Sequence, residues 1–114
     1  MKTENEYLSL IDPKLAKKVK PIFDYINQEY PNAIYCDSYG RNSKLPGYRI
    51  DADYIFIGGM KNYMTIHFSN RQAIKSIIDR YPYCKANEDC VNFSLSRQLP
   101  YIILYSAIDL VFDK

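Results

Sequence analysis

Apolar and polar residues alternate along three short runs between residues 47 and 68, in the stretch GYRIDADYIFIGGMKNYMTIHF. Alternation with a period of two is typical of β-strands that bury one side and expose the other. The third run therefore predicts two faces. Its core side carries Met64, Ile66 and Phe68, and its outer side carries Tyr63, Thr65 and His67.

The sequence predicts a first helix that begins after Asp12 and ends before Pro31. Asp12 can cap such a helix and Pro13 suits its first turn. The apolar residues recur at helical spacing and form one stripe: Leu15, Val19, Ile22, Phe23, Ile26 and Tyr30. The four lysines of this segment scatter around the opposite, solvated side, and residues 1–11 are expected to be flexible.

A second helix is predicted to open with a capping box formed by Ser69 and Gln72 and to end before Pro82. A third helix is predicted from Leu99-Pro100 to about residue 112. Its only polar stripe is Ser106, Asp109 and Asp113, so most of its circumference must be covered. Two explanations stay open: it packs across a sheet and against the first helix, or its outer side forms a homodimer contact.

The strands complete the predicted architecture. They are expected at Ala33–Asp37, Tyr48–Ile50, Asp53–Gly58, Asn62–Phe68 and Val91–Leu95, with an exposed loop at Gly40–Lys44 and a turn from Gly58 to Asn62. The prediction is an α+β fold in which an antiparallel sheet of about five strands is covered by helices on one face. The element order is α-β-β-β-β-α-β-α, and residues 1–114 form one domain.

Composition narrows the class of protein. Fifteen Lys plus Arg against 13 Asp plus Glu give a net charge of +2, whereas a nucleic-acid binder usually shows a stronger basic excess. No stretch reaches the roughly 18 apolar residues of a membrane span. The polar start lacks the apolar region of a secretory signal, and three cysteines are an odd number for a disulfide framework. We expect a cytoplasmic protein without nucleic-acid or membrane partners.

No catalytic motif rises above background, so an enzyme of unrecognised type is the least favoured class of function, and no cofactor is expected. Cys36, Cys84 and Cys90 could join His67 in a zinc site. However, five residues separate Cys84 from Cys90, against the two to four usual in such sites. The sequence therefore predicts ordinary buried or loop thiols and no metal site.

One group of side chains suggests ligand binding. Arg49, Lys61, Tyr63 and His67 are predicted on or beside adjacent strands, with Tyr48 near them. Tyrosine hydroxyls and a fixed guanidinium can bind a small carboxylate or phosphate. The hypothesis is a non-enzymatic module that binds a small anionic ligand or another protein; the alternative is an ordinary polar sheet surface.

The order of these elements and three local strings resemble the YdhG-like bacterial family of unknown function, whose members resemble frataxin in fold. The strings are Pro46-Gly47-Tyr48-Arg49, Tyr54-Ile55-Phe56 leading to Lys61-Asn62, and Val91-Asn92-Phe93 followed by Leu99-Pro100. The resemblance covers about residues 12 to 112. This chain departs from the family in extra residues before Pro46 and in Asn92, where the family often has arginine.

The resemblance implies an alternative function, that of a frataxin-like iron chaperone. Frataxins bind iron weakly through carboxylates of the first helix and an adjoining strand. In this chain the first helix offers Asp12, Asp24 and Glu29 amid four lysines. Because iron of this kind prefers clustered oxygen ligands, the residues favour iron less than the fold analogy does.

Overall fold

The computed structural model describes residues 4–39 and 45–112, which form helices and one six-stranded antiparallel sheet. The helices are α1 (Glu4–Leu10), α2 (Pro13–Glu29), α3 (Arg71–Arg80) and α4 (Tyr101–Phe112). The strands are β1 (Ile34–Tyr39), β2 (Leu45–Ile50), β3 (Asp53–Met60), β4 (Tyr63–Phe68), β5 (Lys85–Ala86) and β6 (Cys90–Ser94). The predicted loop Gly40–Lys44 lies outside the described residues. The α+β prediction is confirmed, and the two-residue β5 is the strand that it lacked.

The sheet order is β1-β2-β3-β4-β6-β5, and each neighbouring pair is antiparallel. Alternate residues of the central strands enter one hydrophobic core together with the buried residues of α2, α3 and α4. The described helices thus cover one side of the sheet, as predicted. We call the other side the open face. None of the described helices is both long and apolar enough to cross a membrane.

The start of α2 follows its sequence signal. The Asp12 carboxylate accepts a hydrogen bond from the backbone N–H of Lys14 at 2.9 Å, which satisfies one donor of the first turn. The predicted stripe from Leu15 to Ile26 is buried. The segment before it was expected to be flexible, yet residues 4–10 form α1, whose Tyr7 ring lies 6.4 Å from the ring of Phe23.

The predicted capping box of α3 is wrong. The cap is Asn70, whose side-chain oxygen accepts from the N–H of Gln72 at 2.8 Å. The Ser69 hydroxyl instead accepts from the N–H of Tyr54 at 3.0 Å and ties the start of β3 to the end of β4. Both Ser and Asn are favourable caps, but the Ser69 hydroxyl is engaged by Tyr54 and Asn70 caps α3.

The observed turn between β3 and β4 is shorter than the predicted one. Gly58 and Gly59 belong to β3, and only Lys61 and Asn62 form the turn. Gly59 has φ of +142°, a conformation that L side chains rarely adopt, and a Cβ there would lie 2.3 Å from the backbone oxygen of Tyr63. Glycine here serves close strand packing and not the turn itself.

Asp109 belongs to the predicted polar stripe of α4, and the structure places it between α2 and α4. Its carboxylate accepts hydrogen bonds from the hydroxyls of Tyr25, at 2.9 and 3.0 Å, and Tyr30, at 2.6 Å. The Tyr25 ring also stacks on Tyr105, with centroids 4.2 Å apart. Burial and, second, the hydrogen bond to Asp109 raise the pKa of Tyr25 to about 12. The third residue of the predicted stripe, Asp113, lies outside the described residues.

We predict that Asp109→Ala lowers the free energy of unfolding by about 1–3 kcal/mol, because hydrogen bonds to a charged group contribute this much. Urea denaturation measures it, with Ser106→Ala on the same helix as the control. In a double-mutant cycle with Tyr25→Phe, the combined loss should be smaller than the sum of the single losses. Additive losses would contradict the assigned hydrogen bonds.

Candidate functional site on the open face of the sheet

The open face is defined by the alternation in β4. Met64, Ile66 and Phe68 are buried in the core, while Tyr63, Thr65 and His67 lie on the other side, which confirms the predicted faces. Each outward residue has a cross-strand neighbour on β6. These pairs are Tyr63 with Ser94, Thr65 with Asn92, and His67 with Cys90.

The middle of the open face is closed by an aromatic ring. Phe56 points outward, yet only 4% of it is exposed. Its register partner on β2 is Gly47, and a Cβ there would lie 2.6 Å from the Phe56 ring. A Cβ at Gly58 would likewise lie 2.7 Å from a methyl carbon of Leu45. Because two glycines admit these side chains against the backbone, this part of the face is apolar and the polar groups lie on β4 and β6.

The predicted anion site included Tyr48, and that expectation is wrong. Tyr48 lies on the core side of β2, where it is 1% exposed, and its hydroxyl accepts a hydrogen bond from the Asn27 side chain at 3.0 Å. Its ring also lies 5.4 Å from that of Phe23. A tyrosine that packs under a helix in this way is not available to a ligand on the open face.

The other predicted residues occupy opposite ends of the sheet. Arg49 faces Tyr54 at one end, and Tyr63 faces Met60 at the other end, next to Lys61. Arg49 lies on β2, whereas Tyr63 and His67 lie on β4. These two strands were expected to be adjacent, but β3 lies between them. Tyr63 and His67 are four positions apart, a distance of about 13 Å along a strand. The structure therefore does not gather these side chains into one pocket.

A depression of about 610 Å³ lies at the Tyr63 end of the open face, and we call it the tyrosine pocket. Its lining consists of Asn62, Tyr63, Thr65, Tyr83, Lys85, Asn92, Phe93 and Ser94. Tyr63 and Tyr83 are 43% and 63% exposed. The Thr65 hydroxyl donates to the Asn92 side-chain oxygen. The pocket combines exposed aromatic rings with hydroxyl and amide groups.

The charge at the tyrosine pocket is positive. Lys85 of β5 lies opposite Asn92, and the described lining includes no carboxylate. The guanidinium carbon of Arg97 lies 4.5 Å from the centroid of the Tyr83 ring, a cation–π contact. Tyr81 contacts the same ring edge to face, with centroids 5.5 Å apart. These contacts hold Tyr83 in place and add a second cation near the pocket.

A second group lies at the other end of the same strand pair. His67, Asp89 and Cys90 present ligand atoms that all lie within 4.8 Å of one another. Burial lowers the pKa of His67, an effect that Asp89 partly offsets. Burial, and next the charge of Asp89, raise the pKa of the Cys90 thiol. At neutral pH the imidazole is thus neutral and the thiol protonated.

The other two cysteines do not belong to this group. Cys36 of β1 faces Gly47 of β2. Three strands lie between β1 and β6, which are therefore about 19 Å apart. The Cys84 thiol donates to the backbone oxygen of Tyr81 at 3.1 Å. A Cys₃His site is therefore not formed. Sequence reasoning missed Asp89 as a partner of His67, because only the β4–β6 register brings them together.

The acidic residues of α2 do not assemble into a metal site in the described chain. Asp12 caps its helix, and the Asp24 carboxylate forms an exposed ion pair with Lys20 at 2.8 Å. Among the described residues, the group of three metal-ligating side chains that the structure brings together is His67, Asp89 and Cys90.

Comparisons with known proteins found similarity in fold only. No protein-family model matches the sequence, and no curated protein matches it. The structure is similar to the crystal structure of a DUF1801-family protein, YdhG, from Bacillus subtilis, with a TM-score of 0.74 and 16% sequence identity. The similarity covers 93% of this chain and 85% of that chain. A YdhG-like fold is thereby shown.

Proposed function

We propose that this protein is a non-enzymatic binding module that takes up a small anionic molecule with a flat apolar part in the tyrosine pocket. The observation that supports this function is the pairing of two exposed rings, Tyr63 and Tyr83, with a cationic and otherwise uncharged lining. Small-molecule sites typically combine aromatic walls with a few placed polar groups.

Each part of the pocket suits one part of such a ligand. The rings of Tyr63 and Tyr83 can contact a planar apolar group. Lys85 can pair with a carboxylate or phosphate, and Arg97 beside Tyr83 adds to the positive potential. The amide of Asn92 can donate to the ligand, since its oxygen already accepts from Thr65.

The lining also supports binding without catalysis. General acid–base or nucleophilic catalysis most often uses a positioned carboxylate, imidazole or thiol. None of the described residues that line the tyrosine pocket is Asp, Glu, His or Cys. His67 and Cys90 lie beyond Thr65 and Asn92, toward the other end of the strands.

We predict that benzoate binds weakly in the tyrosine pocket and that neutral benzamide binds less tightly. Amide NMR signals of residues 63–65 and 92–94 should shift on titration. Lys85→Gln should weaken benzoate binding roughly threefold, as expected for an exposed ion pair. Tyr83→Ala should weaken it roughly fivefold, equivalent to about 1 kcal/mol of aromatic contact.

Two controls locate the effect. Lys75→Gln removes a lysine of α3 that pairs with Asp79 at 2.8 Å, and Arg49→Ala removes the predicted cation at the far end of the open face. Both should leave benzoate affinity unchanged. If no probe shifts these signals, or if Arg49→Ala weakens binding as much as Lys85→Gln, the tyrosine pocket is not the site.

The homodimer contact through α4 stays a prediction. Two apolar residues that are eight positions apart on this helix are exposed: Ile102 is 77% exposed and Leu110 is 46% exposed. Light scattering should then give twice the chain mass of 13.4 kDa, and Ile102→Lys should restore the mass of one chain. A mass of one chain at every concentration would exclude the contact.

The frataxin-like iron chaperone also stays a prediction, resting on the sequence resemblance. No specific observation on α2 favours it, since Asp24 is engaged by Lys20 and Glu29 is a separate exposed residue. Calorimetric titration with ferrous iron tests it, using an Asp24→Ala and Glu29→Ala variant. A binding heat that this variant abolishes would support the chaperone, and an unchanged heat would exclude the helix as the site.

A further inference from the structure

We propose that His67, Asp89 and Cys90 form a binding site for a divalent transition-metal ion of the zinc type, separate from the tyrosine pocket. One imidazole nitrogen, one carboxylate oxygen and one thiolate sulfur would supply three ligands. A fourth position would be left for water or an exogenous ligand.

The spacing of the ligand atoms fits this coordination after small side-chain movements. In a tetrahedral site with bonds of about 2.0–2.3 Å, ligand atoms lie about 3.5 Å apart. The three atoms here lie within 4.8 Å of one another. Asp89 is exposed, so its carboxylate has room to rotate toward the other two ligand atoms.

The backbone fixes the relative positions of the three residues. The N–H of Phe68 donates to the carbonyl of Asp89 at 3.0 Å, one residue before β6 begins, and so hydrogen-bonds the backbone next to the His67–Cys90 pair. That pair is consequently a non-hydrogen-bonded pair. In such pairs the Cα atoms approach to about 4.5 Å and the side chains lie closest.

The loop that precedes β6 is held by Asn87. Its side-chain oxygen accepts from the backbone N–H groups of Asp89 and Cys90, each at 3.0 Å. The Asn87 N–H donates to the carbonyl of Cys90, also at 3.0 Å. Asp89 and Cys90 are thus ordered without a metal ion, and binding would cost little loop entropy.

The donor set selects the class of ion. Thiolate and imidazole favour Zn²⁺ and related borderline ions, whereas Ca²⁺ and Mg²⁺ prefer sites made of oxygen alone. The thiol must lose its proton to coordinate. A single thiolate with one imidazole and one carboxylate therefore indicates zinc or cobalt and argues against the alkaline-earth ions.

Titration with Co²⁺ tests the site in the intact chain, because a bound thiolate produces a cobalt charge-transfer absorption. We expect one equivalent of Co²⁺ to bind and Zn²⁺ to displace it. Cys90→Ser should abolish the thiolate band. Removing a residue that only hydrogen-bonds to a metal ligand typically lowers metal affinity about 10- to 100-fold. Because His67→Gln and Asp89→Asn remove the ligands themselves, each should lower Co²⁺ affinity at least about tenfold.

Matched controls separate this site from other thiols and from the tyrosine pocket. Cys84→Ser removes another partly buried thiol, which donates to Tyr81 and not to the cluster, and should change Co²⁺ affinity less than about twofold. Lys85→Gln should likewise leave it unchanged. These outcomes are independent of benzoate binding, so either proposal can fail alone.

A measurement on the unaltered chain keeps the test valid if a variant fails to fold. His67 is the only histidine, so its ring NMR signals are unambiguous. Addition of Zn²⁺ should shift them, and the shift should saturate at one equivalent. Unmoved imidazole signals, or a thiolate band that survives Cys90→Ser or disappears with Cys84→Ser, would overturn the proposal.

Discussion

The register of β4 is the constraint on which the rest of the structure depends. Met64, Ile66 and Phe68 are each no more than 2% exposed, and they pack between the sheet and the helices. A slip by one residue would turn all three to solvent. Burying each such side chain contributes about 1.5–3 kcal/mol, so the slip would cost about 5–9 kcal/mol. That is comparable with the total stability of a typical domain, about 5–15 kcal/mol.

This constraint also decides what lies outside. Once the even-numbered residues of β4 are buried, Tyr63, Thr65 and His67 must occupy the open face, and their partners on β6 follow from the register. Phe56 over Gly47 closes the middle of that face. The polar groups therefore gather at the two ends of the β4–β6 pair. One end offers aromatic rings and a cation, and the other offers metal-ligating atoms.

Local patterns in the sequence predicted much of the fold. The Asp12 cap, the stripe of α2 and the alternation of β4 depend on neighbouring residues, and the structure confirms them. The features that the sequence did not predict depend on distant contacts. The Asp109 carboxylate meets Tyr25 and Tyr30 only because α2 and α4 pack together, and Tyr48 is covered by Asn27 and Phe23.

The candidate sites were harder to predict than the fold for the same reason. Arg49 and Lys61 stand close in sequence, but an antiparallel hairpin carries them to opposite ends of the sheet. Conversely, His67 and Asp89 are 22 positions apart, and only the β4–β6 register joins them. Tyr83 and Lys85 line the same pocket as Tyr63 because β5 adds an edge strand that sequence periodicity did not reveal.

Proton–proton NOE contacts of the single imidazole test the register most directly. With the register described, the His67 ring should contact the Cys90 side chain and the Phe56 ring, its neighbours on the open face. Contacts from that ring to core residues such as Ile22 or Ile108 would show the opposite orientation of β4. That result would contradict the assignment of the open face and both binding sites on it.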